Sequence, residues 1–327
     1  MSHLGSSVTC STPLLGGQSG SKVSRLTEGS GETKIIKTTR REDMPDYLTA
    51  NYPSVDMAEY LFYTELQPKL DLPAPSLLGH GHLPQGGVFL VLEDVAKSHR
   101  LLPLGHHYTT LELLSIIATY ARLHGRGQRI AAADKAYSWL HQDPRTTLAA
   151  HLVLRHLQEL ARNEWTNALA AVPLYSPRLP SLLREVAARL AHLPSTILHN
   201  DFYATNVALP LDCTQPAVLL DWQLIGRGPL QLDLANIGLL SASPCFKEVD
   251  KDAVLLGYLE ALAREGGPKI TLRALREQYT YAELLLALDF LPRFVRAMHR
   301  ANDLNEPWIP WMRDAYATNM ANIAVHL

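Results

Sequence analysis

The sequence predicts an α+β protein of two lobes, a small strand-rich one followed by a larger, mainly helical one. Three observations predict it. Up to about Val95 the apolar residues come in short β-like runs broken by Gly, Ser and Pro. After Lys97, Ala, Leu, Arg and Glu recur at helical spacing. The 327 residues can bury about 75% of the surface their unfolded chain exposes, enough for two lobes around one cleft. The lobes are therefore set at 1–95 and 98–327, with a hinge at about 92–97 that contains Leu92-Glu93-Asp94-Val95.

The elements follow in chain order. Runs 22–26 and 33–38 flank Gly29-Ser30-Gly31 and read as a hairpin. One helix, at about 54–66, interrupts the strands, and Leu72-Pro73-Ala74-Pro75 prevents its continuation. A further strand covers 88–92. Thr109 with Glu112 forms a capping box that opens a helix, which Gly125 is expected to close. Helices are expected at about 147–162, 181–193 (Pro194 lying beyond), 233–241, 247–265, 271–301 and 308–324. Between 197 and 221 the helical pattern breaks, and apolar runs 207–209 and 217–220 flank a turn-prone stretch, a hairpin inserted among helices.

Composition removes several function classes. With 30 basic and 32 acidic side chains and only 19% charged residues, against an average of about 25%, there is no global basic field for nucleic acid or anionic lipid. Cys10, Cys213 and Cys245 are odd in number and widely spaced, which fits neither a disulfide framework nor a structural zinc site. No charged start precedes an apolar run, and no stretch reaches the roughly 18 apolar residues of a membrane span. The expectation is a cytoplasmic protein with no nucleic-acid or membrane partner, as a monomer or a homodimer.

The chemistry concentrates in Ile197-Leu198-His199-Asn200-Asp201-Phe202-Tyr203-Ala204-Thr205-Asn206, then Leu219-Leu220-Asp221-Trp222-Gln223, then Asp233-Leu234-Ala235. Phosphoryl transfer from a nucleoside triphosphate needs a carboxylate beside the attacking hydroxyl and oxygen ligands for a Mg²⁺ that bridges the phosphates. Asp201 suits the first need; the neutral carbonyl oxygen of Asn206 and the carboxylate of Asp221 suit the second.

That segment resembles the HxDxxxxN catalytic loop of the aminoglycoside phosphotransferase and choline kinase superfamily, the small-molecule branch of the protein-kinase-like fold. The run through Gly226, Gly228 and Pro229 to Asp233-Leu234-Ala235 is similar to the stretch that follows in that family. The resemblance implies a bilobal protein-kinase-like fold and an ATP- or GTP-dependent enzyme that moves the γ-phosphate to a hydroxyl of a small molecule. An aminoglycoside-like antibiotic, an amino alcohol and a sugar-like metabolite are all open as acceptors. Asp201 would be the catalytic base, Asn206 and Asp221 the Mg²⁺ ligands. Asn200 resembles the residue that choline and ethanolamine kinases carry there, whereas most aminoglycoside enzymes have Gly.

The N-terminal lobe is read beside this. Small residues in Gly16-Gly17-Gln18-Ser19-Gly20 would let backbone N–H groups approach phosphates, with Gly17, Ser19 and Gly20 as contacts, although neither GxxxxGK[ST] nor GxGxxG is present. In Lys34-Ile35-Ile36-Lys37, strand alternation puts Ile35 and Lys37 on one face. By resemblance to the kinase β3 strand, Lys37 would reach the α and β phosphates and Ile35 would lie against the base. Glu59 would hold Lys37, and backbone groups of Glu93 and Val95 would bond the purine.

Each reading has a plainer counterpart. Asp201, Asn206 and Asp221 could cap an Asx-rich turn, Lys37 could be an exposed strand lysine beside Lys34 and Arg40, and Asp56 and Glu65 compete with Glu59 on its helix. His199 and Asp233 are read as structural, the first a buried imidazole that holds the loop, the second carrying the loop from a helix start, where an Asp side chain can cap N–H groups. His80 and His82 read as a solvated pair rather than a metal site. Trp308 and Trp311, with Asp289, Asp303, Glu306 and Asp314, could box an amine or simply pack, so no substrate contact is assigned. A protein kinase is disfavoured because only 12 positions separate Asp221 from Asp233, too few for an activation segment. A nucleotide-binding pseudokinase acting as an interaction module would be expected to lack a chemical group, and none is missing.

Overall fold

A computed structural model describes residues 8–14, 19–132, 136–143, 176–212, 215–239, 243–300, 321 and 324–325. Its N-terminal part is a five-stranded antiparallel sheet in the order β1 (Val8–Pro13), β2 (Lys22–Glu28), β3 (Thr33–Thr39), β5 (Val88–Glu93), β4 (Leu77–His82). Strands β2 (Lys22–Glu28) and β3 (Thr33–Thr39) form the expected hairpin, with Lys37 opposite Val23. On its other side β3 pairs with β5 (Val88–Glu93), which places Lys37 opposite Leu90. Alternation along β3 buries Lys37 and Thr39.

Two strands of this sheet carry no signal in the sequence, β1 (Val8–Pro13) and β4 (Leu77–His82). Both are sheet edges. Cys10, Ser11 and Thr12 of β1 are exposed, so no apolar alternation marks them. In β4 the inner positions include Gly79 and Gly81, and a Cβ on Gly81 would lie 2.8 Å from the Phe89 ring, so the neighbouring strand supplies the apolar surface there. Short helix α1 (Asp46–Asn51) is likewise unannounced. The helix expected at 54–66 is α2 (Val55–Leu61) followed by a π-helical turn, Phe62–Leu66, and α3 (Gln67–Leu70). The wider turn directs Phe62, Tyr63 and Leu66 into the core.

The C-terminal part is mainly helical. Helix α4 (Thr110–Ala131) opens on the expected capping box, in which Glu112 N–H donates to Thr109 Oγ1 and Glu112 Oε2 accepts from Thr109 N–H. Gly125 does not close it. Cβ atoms at Gly125 and Gly127 would meet the carbonyl of Glu265 at 2.9 Å and Ile197 Cβ at 2.9 Å, so these glycines admit neighbouring backbone to the helix face. Helices α5 (Leu179–Ala191), α6 (Gln231–Ile237), α7 (Lys251–Arg264) and α8 (Leu272–Arg300) follow, α6 beginning two residues before Asp233. The helices expected at 147–162 and 308–324 lie essentially outside the described residues, as do Trp308 and Trp311.

Small sheets interrupt the helices. The expected hairpin is β8 (Val207–Pro210) with β9 (Val218–Leu219), joined by β6 (His99–Leu101); β7 (Ser195–Leu198) pairs with β10 (Gly226–Pro229). One apolar core runs from Phe62, Leu66 and Leu90 through Ile116, Leu198 and Trp222 to Tyr258 and Tyr279. Among the described residues, no helix is long and apolar enough to cross a membrane.

Candidate active site

Three strand ends deliver the chemical side chains. His199, Asn200 and Asp201 follow β7, a 3-10 turn over Ala204–Asn206 precedes β8, and Asp221 lies just past β9. Val207 pairs with Leu219, and Leu220 N–H donates to Asn206 O at 2.9 Å, so Asn206 and the residue before Asp221 are tied backbone to backbone. Asn206 Nδ2 donates to Asp201 O (3.0 Å) and Oδ2 (2.9 Å). The amide nitrogen is thereby committed, and what Asn206 retains for a ligand is a carbonyl oxygen. Asn200 (φ 67) and Asp221 (φ 61) both occupy the left-handed region, which Asn and Asp tolerate better than other side chains. Asn200 Nδ2 donates to Leu224 O (3.0 Å), which links the two left-handed turns.

Beneath this loop lies a buried polar anchor. Asp233, 1% exposed, accepts from the N–H of His199 (2.7 Å) and of Asn200 (2.8 Å), and its Oδ2 lies 3.1 Å from His124 Nε2. The N–H groups it caps belong to the loop that follows β7. Burial opposes its charge, but the hydrogen bond and charge of His124 and the contacts of His199 outweigh this and hold the carboxyl below the ordinary 3.8. On the other face of the imidazole, His124 Nδ1 meets Tyr258 Oη at 2.8 Å. His199 Nε2 donates to Leu220 O (3.0 Å), its ring lies edge-on to Trp222, and burial lowers its pKa below 6.5.

On strand β3 of the N-terminal sheet, Lys37, 7% exposed, lies 2.6 Å from Glu59 Oε2 and donates to Asp221 Oδ1 at 2.7 Å. Burial works against its charge, and Asp221 and Glu59 more than offset this, so its pKa lies above the ordinary lysine value. For Glu59 burial dominates over Lys37, and Asp221 adds repulsion, so its carboxyl is raised above 4.5. The competing acids are engaged elsewhere: Asp56 pairs with Arg41 (3.0 Å), and Glu65 accepts from Trp139 Nε1 (3.1 Å). Trp222 N–H donates to Glu59 Oε1 (3.2 Å), and its ring stacks on Phe62 with centroids 3.9 Å apart. Lys34, on the other face of β3, pairs with Glu28.

The other predicted contacts are placed as follows. The small-residue loop joins β1 to β2; Ser19 and Gly20 are described, whereas Gly17 lies outside the described residues. Gly20 has φ 84, and a Cβ there would fall 2.1 Å from Asp43 O, so glycine is required where the loop passes that turn. Ile35 is half-buried against the core. Glu93 N–H donates to Ser76 O (2.9 Å), and Val95 opens a 3-10 turn capped by Asp94, which also pairs with Arg25 (2.7 Å). His80 and His82 are exposed; His80 Nδ1 contacts Tyr60 Oη at 3.1 Å. Among the described residues no group of three His, Cys, Asp or Glu could hold a metal ion. Asn206 and Asp221 do offer a hard, all-oxygen pair of the kind Mg²⁺ takes when phosphates and water complete its shell.

Sequence reasoning overlooked His124, Tyr258 and Gln223. His124 had a signal: it continues the buried stripe Leu113, Ile117, Tyr120 at spacings of four, three and four, and a histidine on such a stripe needs a buried partner.

A family model described as APH, phosphotransferase enzyme family, matches residues 11–277. No curated protein matches the chain in sequence. Among solved structures it is similar to macrolide 2'-phosphotransferase MphH from Brachybacterium faecium, with 17% identity over 97% of this chain and 93% of that one and a TM-score of 0.56. The GDP complex of wild-type aminoglycoside 2'-phosphotransferase-IIIa matches with 11% identity over 97% and 94% and a TM-score of 0.57. Choline kinase LicA from Streptococcus pneumoniae matches with 13% identity over 97% and 94% and a TM-score of 0.55. At such identities the likeness is one of fold, a sheet-containing N-terminal region followed by a helical part.

Proposed function

The chain belongs to the phosphotransferase enzyme family, and from that premise we propose that it moves the γ-phosphate of ATP or GTP to a hydroxyl of a small molecule. That it is a small-molecule kinase follows from the family; the donor, the metal and the roles of individual residues are the proposal. The observation that carries it is that Asp201 and Asn206, bonded to each other, are tied through Leu220 to Asp221, which Lys37 reaches from the N-terminal sheet 184 positions away.

Asp201 accepts or orients the proton of the attacking hydroxyl, while the hydrogen bond from Asn206 fixes its carboxylate. Asn206 and Asp221 would hold Mg²⁺, which when bound neutralises charge developing on the phosphates. Lys37, kept cationic by two carboxylates, steadies the α and β phosphates, and Glu59 steadies Lys37. The small-residue loop with Gly17, Ser19 and Gly20 would cover the phosphates, and Ile35 would face the base. Because Glu93 N–H already serves Ser76, its carbonyl would join Val95 N–H in bonding the purine. In this reading 92–97 is the hinge between lobes 1–95 and 98–327.

The structural neighbours include enzymes named for macrolides, aminoglycosides and choline. The acceptor class is accordingly sought among amino alcohols, sugars, aminoglycosides and macrolides, assayed for consumption of MgATP and MgGTP. Turnover with at least one acceptor, lost on chelation of Mg²⁺, is expected. Tight nucleotide binding with no turnover for any acceptor would favour the interaction-module reading instead.

A further inference from the structure

The Lys37–Asp221 pair is not the sole bridge from the loop after Asp221 to the N-terminal sheet. Gln223, 3% exposed, donates from Nε2 to Ser21 Oγ at 2.5 Å, and Ser21 Oγ lies 2.9 Å from Thr39 Oγ1. Ser21 is the last residue before β2, at the end of the β1–β2 loop, and Thr39 closes β3, two residues beyond Lys37. The next residue, Leu224, is buried in a separate apolar cluster with Met44, Leu48, Tyr52 and Val55. Gly20 in turn passes so close to Asp43 and Met44 that no side chain fits. Residues 20–21, 43–44 and 223–224 therefore form a closed circuit of contacts. Within it the end of the β1–β2 loop has a fixed place relative to Asp221, two residues upstream of Gln223.

A buried amide is expensive to leave half-bonded, yet Gln223 Oε1 is buried without a hydrogen-bond partner among the described residues. Packing alone would be served by a methionine of similar volume. What the amide supplies beyond packing is its donor, whose acceptor is the hydroxyl on the loop.

We infer that Gln223 is a positioning residue that locks Gly20 and Ser21, the end of the β1–β2 loop, to the Asp221 turn, so that this end of the loop and the carboxylate proposed to hold the metal keep one register. The inference rests on the nucleotide reading above. It places the effect on nucleotide binding and leaves the acceptor site untouched, because Gln223 acts through Ser21 on the small lobe.

The test is a double-mutant cycle of Gln223→Met and Ser21→Ala in the full chain. It reads the Kd for MgATP and MgGTP by calorimetry, KM for nucleotide and for acceptor, and the melting temperature without ligand. Either single variant should weaken nucleotide binding about fivefold, the size of one lost neutral hydrogen bond, with KM for the acceptor unchanged. The double variant should be no worse than either single one. Strictly additive losses, or an unchanged nucleotide Kd accompanied only by a lower melting temperature, overturn the role of Gln223. Wild-type protein that binds no magnesium nucleotide overturns the nucleotide reading itself, a result distinct from equal binding by all four proteins, which removes the latch alone.

Discussion

Asp233 and Glu59 are both carboxylates buried to within a few per cent, and the protein treats them in opposite ways. Asp233 accepts from two backbone N–H groups at 2.7 and 2.8 Å and from His124, and its pKa is lowered. Glu59 has one backbone N–H at 3.2 Å and shares Lys37 with a second carboxylate, and its pKa is raised. Fixed dipoles aimed at a charge stabilise it whatever else binds, whereas an ammonium shared between two acids can be redistributed. The region around Asp233 is thus a fixture that shapes the loop carrying Asp201, and under the proposed function the Lys37 cluster is the part that would respond to an incoming phosphate.

The largest expected effect on folding follows from the first half of that contrast. Asp233→Ala leaves two buried N–H groups and His124 without their acceptor and should cost about 3 kcal/mol or more in urea or thermal denaturation. A loss below about 1 kcal/mol would erase the distinction. Lys37→Met should instead act on chemistry, lowering kcat/KM about a hundredfold in the acceptor assay through loss of a preorganised cation. Glu59→Gln sharpens the comparison, because the ionised Glu59 is not stabilised by its site. Stability should move by less than about 1 kcal/mol while kcat/KM falls about tenfold, a combination that Asp233 variants cannot show.

The smallest effect is in pH dependence. His199 has a lowered pKa, so on acidification the unfolded chain takes up its proton first and stability falls as pH drops below 6.5. Asp233, also lowered, contributes stability above 3.8 that is lost as pH falls further. Glu59 has the opposite sign, since its raised pKa lets the folded state hold the proton better, and its unfavourable contribution appears as pH rises above 4.5. Melting temperatures between pH 7 and 5 should therefore decline in the wild type and decline less in His199→Gln, with His141, lowered by burial, supplying a slope common to both. Parallel curves for the two proteins would contradict the buried neutral imidazole.

What could be read from the sequence was whatever chemistry demands at short range. The segment around Asp201 and Asn206, the hairpin leading to Asp221 and the capping box of α4 each lie within a few dozen residues, and strand alternation alone put Lys37 and Ile35 on one face. What escaped depends on distant partners. Gly125 and Gly127 look like a helix stop until Glu265 and Ile197 are seen pressing on them. Edge strands β1 and β4 lack apolar alternation because one lies open to solvent and the other is filled in by Phe89 and Val91. His124 meets Asp233 across 109 positions, and Gln223 meets Ser21 across 202, distances no local pattern records.

The proposal that Asp201 serves the attacking hydroxyl is most directly tested by following phosphorus in Asp201→Ala. With an acceptor that the wild type phosphorylates, the account predicts loss of the phosphate ester by at least about a thousandfold while the Kd for the magnesium nucleotide stays within about twofold. Ester formation at a near wild-type rate would contradict it.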